Sequence, residues 1–153
     1  MAPVTVERVG AATGLPLRQR VLRPHQAVED LRSADDDDAD TGHYAAFADG
    51  DVIATASVRR EAPPWAEAER STWRLRGMAT HEQWRNAGVG AEVLRAVVQH
   101  VRERGGGLLW CNARTPALSF YLRAGFTTRG EGWVDPVIGP HVAMEYLVTA
   151  QPD

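Results

Sequence analysis

The chain has 153 residues, 44% of them apolar, with 17 basic and 20 acidic side chains for a formal net charge of −3. That length predicts one domain, residues 1–153, around one core, and the mild charge with no basic block speaks against nucleic acid as a partner. Every one of the 17 basic side chains is arginine, so a lysine Schiff base with pyridoxal phosphate and a Walker-type phosphate-binding lysine are both excluded.

Met1 to Gly10 contains Glu7 and Arg8 and no apolar centre, unlike a secretory leader. Val4–Val9 alternates as a first strand, and Leu17, Val21 and Leu22 carry helical spacing within Leu15–Leu31 until Pro24 breaks it. Asp35 to Asp38, followed by Asp40 and Gly42, predicts a solvated loop. His43–Ala48 and Val52–Arg59 predict two antiparallel strands joined by Asp49, Gly50 and Asp51. A loop over Ala62–Glu69, with Pro63 and Pro64, leads to a strand over Ser71–Thr80. This strand puts Trp73, Leu75 and Ala79 on one side and Arg74, Arg76 and Met78 on the other, with Gly77 marking an irregularity. Val89, Val93, Leu94, Val97 and Val101 then form the buried stripe of a helix over about Ala87–Arg104, stopped by Gly105, Gly106 and Gly107. Glu92, Arg95, Gln99 and His100 interrupt that stretch, which falls short of the roughly 20 apolar residues of a membrane span. Leu108–Asn112 predicts a short strand, and Thr115 with Pro116 a cap and first turn for a short helix ending at Gly125. Phe126–Trp133 and Val142–Val148 are the last strands. A single cysteine, Cys111, excludes an internal disulfide and a four-cysteine zinc site, and a reducing, cytoplasmic setting is expected.

One constellation carries chemistry: a strand ending near Thr80, then Arg85, Asn86, Ala87, Gly88, Val89, Gly90 and Ala91, then a long helix. The first amides of a helix lack intrahelical partners and carry partial positive charge, so a loop free of bulky side chains there can wrap a phosphate. Gly88 and Gly90 permit close approach, and Arg85 adds a charge able to meet phosphate oxygens bidentately. A plain tight turn is the competing reading of Gly-x-Gly by itself. A dinucleotide fingerprint is excluded because Val93 stands where its third glycine belongs.

Arg85-x-x-Gly88-x-Gly90 after a strand resembles the pyrophosphate-binding signature of the GNAT superfamily of N-acetyltransferases. Phe120-Tyr121-x-x-x-Gly125-Phe126 is similar to that superfamily's second motif, and the order of elements agrees along most of the chain. The resemblance implies an α/β (α+β) single domain with a mixed, mostly antiparallel sheet, splayed in the middle between the cradle strand and the Leu108–Asn112 strand and flanked by helices. It also implies acetyl-coenzyme A as cosubstrate: its diphosphate on the amides of Asn86–Ala91, its pantetheine arm paired with backbone at Met78, Ala79 and Thr80 like an added strand. No metal is implied. Many relatives carry an asparagine seven residues before the motif tyrosine, where this chain has Arg114; Asn112, two positions earlier, is the candidate contact in its place.

Acetyl transfer to an amine needs a neutral amine, a stabilised oxyanion and a proton for the departing thiolate. The resemblance assigns the last role to Tyr121. An amide near Gly77 and Met78 is the candidate oxyanion donor, and His141 the candidate base, with His25, Glu61 or an ordered water as alternatives. Cys111 beside Asn112 raises a covalent acetyl-cysteine route, against which a buried strand thiol with no paired histidine is the commoner case. The acidic run at Asp35–Asp38 is read as a wet loop rather than a steering patch for cationic substrates, and Trp65 and Trp84 as core packing or acceptor-site lining. The expected reaction is direct transfer, in a ternary complex, to a primary amine of a small molecule or peptide, without nucleic acid or membrane. A coenzyme-binding sensor without catalysis is the alternative. Exposed sheet edges are compatible with a homodimer.

Overall fold

A computed structural model describes residues 3–65 and 71–152. It contains a seven-stranded, mostly antiparallel sheet with strand order β1-β2-β3-β4-β5-β7-β6 and three α-helices. The strands are β1 (Val4–Val9), β2 (Gly42–Ala48), β3 (Asp51–Arg60), β4 (Thr72–Thr80), β5 (Gly107–Arg114), β6 (Thr127–Asp135) and β7 (Gly139–Val148); the helices are α1 (Leu15–Leu22), α2 (Val89–Glu103) and α3 (Leu118–Arg123). Among the described residues, no helix is long and apolar enough to cross a membrane. The chain divides into two compact units, Met1–Arg59 with Leu75–His100, and Arg60–Arg74 with Val101–Asp153.

In the first unit, Asp49 and Gly50 both take positive φ, 51° and 80°, the handedness that lets a two-residue loop follow the twist of its strands and join β2 to β3. The pairing starts at Ala48↔Asp51 and shifts by one residue between Phe47 and Ala46, so that His43 comes to face Ser57 directly. Ala45, Ala46, Ala54, Ala56 and Val58 are fully buried. Small residues there let the sheet be covered closely. The α2 stripe is as expected, with Val93 and Val97 fully buried. α1 ends at Leu22, ahead of Pro24, and a separate 3-10 turn covers Val28–Leu31. The acidic run is less solvated than the sequence implies, since Asp35 pairs with Arg59 at 2.9 Å and Asp36 accepts the Ser33 amide at 2.9 Å.

In the second unit, β4 and β5 run parallel in register over Thr72↔Leu108 to Arg74↔Trp110, and β5 pairs antiparallel with β7 from Gly107↔Val148 to Arg114↔His141. That short parallel register matches a sheet whose middle pair is joined at one end. Trp73 is fully buried; its indole N–H donates to the Gly106 carbonyl at 3.3 Å, and the Arg60 guanidinium lies 3.8 Å over its ring. The edge strand β6 is exposed along nearly its whole length. Thr115 is a correction: its side chain caps nothing, and Thr115–Ala117 form a 3-10 turn with Pro116 in its first positions, Ala117 then being the α3 N-cap. The loop expected over Ala62–Glu69 is described as far as Trp65; its remainder, like Met1 and Ala2, lies outside the described residues.

Candidate functional site

The phosphate-cradle residues all fall in the first unit. Arg85, Asn86, Ala87 and Gly88 form an exposed turn, with positive φ at Asn86 (62°) and Gly88 (80°). Asparagine and glycine tolerate this left-handed backbone best. The helix starts two residues later than the periodicity suggests, at Val89. Its first bond runs from the Glu92 amide to the Gly88 carbonyl at 3.2 Å, which leaves the Val89, Gly90 and Ala91 amides without intrahelical acceptors. A Cβ on Gly88 would meet nothing within 4 Å, so the space before the turn is open.

β4 leads into this turn, with Ala79 buried and Met78 and Thr80 half-buried. Gly77 takes φ +62°, and a Cβ there would lie 2.9 to 3.3 Å from the side chain of Arg18, which crosses above it. Beyond β4, the His81 amide donates to the Ile53 carbonyl at 2.8 Å, continuing the pairing with β3. Trp84 is half-buried in a 3-10 turn over Glu82–Trp84, and Glu82 forms an ion pair with Arg20 of α1.

Tyr121, Asn112 and His141 belong to the second unit. Tyr121 sits on α3, 6% exposed, edge-on to Phe120 and Phe126 at ring-centre distances of 5.1 and 5.5 Å. Its neighbour is the Cys111 thiol of β5, a partner that the sequence did not reveal. Burial pushes the phenol well above its ordinary range, reinforced by the neighbouring sulfur. Burial also pushes the Cys111 thiol up to about 12, against the opposing pull of the Arg74 guanidinium and the neighbouring Tyr121 hydroxyl. A thiol held protonated is a poor nucleophile, which argues against the acetyl-cysteine route. Asn112 is exposed on β5 opposite Ala143.

His141 is 5% exposed on β7, stacked on Trp133 with ring centres 5.6 Å apart. Its Nδ1 lies 2.8 Å from the Gly139 carbonyl, so Nδ1 carries the proton and Nε2 is the basic nitrogen of the neutral ring. The weaker base candidates fare differently: Glu61 is paired with Arg74 at 2.8 Å, and His25 lies exposed in the turn after α1. Trp65 is packed within the second unit, donating to Glu145 at 3.1 Å and meeting Trp110 edge-on at 5.6 Å.

A feature that the sequence did not signal is a small polar recess in the first unit, lined among others by Arg18, Asp36, His43, Thr55, Ser57 and Gly77. His43 bridges Ser57 Oγ at 2.9 Å and the Asp36 carbonyl at 2.8 Å.

Residues 13–126 match the family model described as the Acetyltransferase (GNAT) family. The chain is 33% identical over 139 residues to the "Uncharacterized N-acetyltransferase YitI" of Bacillus subtilis (strain 168), covering 91% of this chain and 93% of the relative. Among solved structures, it is similar in fold to the ribosomal-protein-S18-alanine N-acetyltransferase from Escherichia coli (TM-score 0.72, 15% identity, 99% and 97% of the two chains). It is likewise similar to an aminoglycoside 6'-N-acetyltransferase complexed with coenzyme A (TM-score 0.68, 11% identity, 97% and 99%). The chain therefore belongs to the GNAT acetyltransferase family.

Proposed function

We propose that this protein is an N-acetyltransferase that moves the acetyl group of acetyl-coenzyme A to a primary amine of a small molecule or peptide, directly, within a ternary complex. The observation that carries this reading is the turn before α2. Its exposed backbone, positive φ at Asn86 and Gly88, and unpaired Val89, Gly90 and Ala91 amides suit a diphosphate, with Arg85 beside them. The coenzyme named in the aminoglycoside enzyme's complex lends support at the level of fold. The pantetheine arm then pairs with β4 backbone at Met78, Ala79 and Thr80, and exposed Asn112 stands as a further contact. The family match runs through residues of both units, which favours one catalytic domain over the whole chain. An unpaired, buried Cys111 suits a reducing compartment.

Tyr121 is the proposed donor to the departing thiolate. A phenol near pKa 10 giving its proton to a thiol near 8.5 is uphill by about 2 kcal/mol in water, and burial of Tyr121 steepens that slope. Its contribution is therefore a hydrogen bond that strengthens as sulfur gains charge. For the amine, His141 meets a base's first requirement, a neutral ring with one nitrogen still basic. No step needs a metal.

The burial of the Tyr121 side chain beside Cys111 is what favours the alternative, a coenzyme-binding sensor without catalysis. Thiol release from acetyl-coenzyme A over an amine library, with calorimetry of coenzyme binding, separates the two. A catalyst binds and turns over; Tyr121→Phe then loses about 10²- to 10⁴-fold in turnover with coenzyme affinity unchanged, whereas a sensor binds and releases nothing. Arg85→Glu weakens coenzyme binding by about tenfold or more; no binding heat from wild type would end both readings.

A further inference from the structure

One carbonyl sets the hydrogen-bond directions in the recess of the first unit. The Asp36 carbonyl can only accept, so His43 Nε2, 2.8 Å away, carries the ring proton. His43 Nδ1 is then the lone-pair nitrogen, and the Ser57 hydroxyl, 2.9 Å away, donates to it. A hydroxyl backed by a neutral imidazole whose other nitrogen is anchored is the arrangement that moves protons in enzyme sites. Ser57 keeps its oxygen lone pairs for whatever enters the recess. Thr55 also lines the recess, its hydroxyl donating to the Tyr44 carbonyl at 3.2 Å.

The charged groups around this relay lie on several elements. Asp36 lines the recess from the loop before β2, its carboxylate accepting the Ser33 amide at 2.9 Å, and Arg18 of α1 holds its side chain over Gly77 of β4. Asp35 and Arg59 neutralise one another beside them at 2.9 Å. The recess has room for about one water, the size of an ammonium head. Ser57, Thr55 and Asp36 thus line the recess, and the Arg18 side chain lies over the irregular β4 residue next to Met78.

We propose that this recess seats the primary ammonium head of the acceptor, and that Ser57 relays its proton to His43. This rests on the amine-acetylation reading, within which it takes the base role away from His141 and gives it to the Ser57–His43 pair. The ammonium gives one proton to Ser57 Oγ as Ser57 gives its own to His43 Nδ1, leaving a neutral amine and an imidazolium. The amine nitrogen forms the new bond to the thioester carbonyl carbon, and the carbon–sulfur bond breaks. The second amine proton ends on the departing thiolate, and His43 returns the first to solvent. Asp36 and Thr55 hold the head; Ser57 touches the reacting nitrogen, and His43 acts through it.

The test is kcat/KM for thiol release with a primary amine, measured between about pH 5 and 9, for wild type, Ser57→Ala, Ser57→Thr, His43→Gln and His141→Ala. Coenzyme binding by calorimetry and thermal melts accompany each. Wild type is expected to lose rate toward the acid end of that range. Ser57→Ala drops about 10²-fold, Ser57→Thr recovers part of that, and all variants bind coenzyme as wild type does. His43→Gln, which can keep both hydrogen bonds but cannot accept a proton, loses rate and the acid-side pH dependence; His141→Ala keeps that dependence. If His43→Gln fails to fold, the Ser57 pair decides. Ser57→Ala and His43→Gln at wild-type rate and profile, or a profile lost in His141→Ala alone, would overturn the recess while leaving acetyl transfer standing. A wild type that neither binds coenzyme nor releases thiol would overturn the parent reading.

Discussion

Cys111 and Tyr121 are buried against each other, and both ionise less readily for it: the thiol is pushed up to about 12 and the phenol well above 10. The folded thiol takes up a proton more tightly than the unfolded one, whose ordinary value is 9.0. Its contribution to stability is therefore complete below about pH 9 and is lost as pH rises through about 12, a change on the order of 4 kcal/mol. Denaturant titrations at rising pH should show this alkaline loss, and Cys111→Ala should flatten the part of it that begins near 9, leaving the phenol's share. In the sequence, Tyr121 was visible through its motif and Cys111 only as a lone thiol. Their proximity was not legible, because it brings a strand residue against a helix residue and depends on which face each presents.

At the scale of elements, α2 was written almost openly, since five apolar residues at three- and four-residue steps fix one face whatever covers it. Val97 lies fully buried on that face, so Val97→Ala should cost about 2 kcal/mol in equilibrium unfolding. Gly107 is a sharper case. It takes φ +132°, and an added Cβ would lie 2.3 Å from the Ser71 carbonyl oxygen, so Gly107→Ala combines backbone strain with a clash against main chain. A loss of about 2 kcal/mol or more is expected in the same measurement. The His43–Ser57 pair escaped the sequence for an identifiable reason. The Asp49–Gly50 turn announces the hairpin, and an unbroken register from it would set His43 opposite Ala56; the shift between Phe47 and Ala46 moves the partner to Ser57. A one-residue slip changes which side chains share a face, and no residue type signalled it.

For the whole molecule, element order was legible because every strand and helix before β7 ended at a glycine, proline or charged turn, and the family followed from two short motifs in a fitting order. That the two motifs fall on separate compact units is a matter of long-range packing that local patterns do not encode. The only cysteine of the chain is the buried Cys111, and this has a practical consequence. A maleimide added to native protein should leave it unlabelled, with full labelling in denaturant. Mass spectrometry of the adduct then clocks how often the interior opens, and in the proposed thiol-release assay a chromogenic disulfide reagent added to native protein would leave Cys111 uncounted.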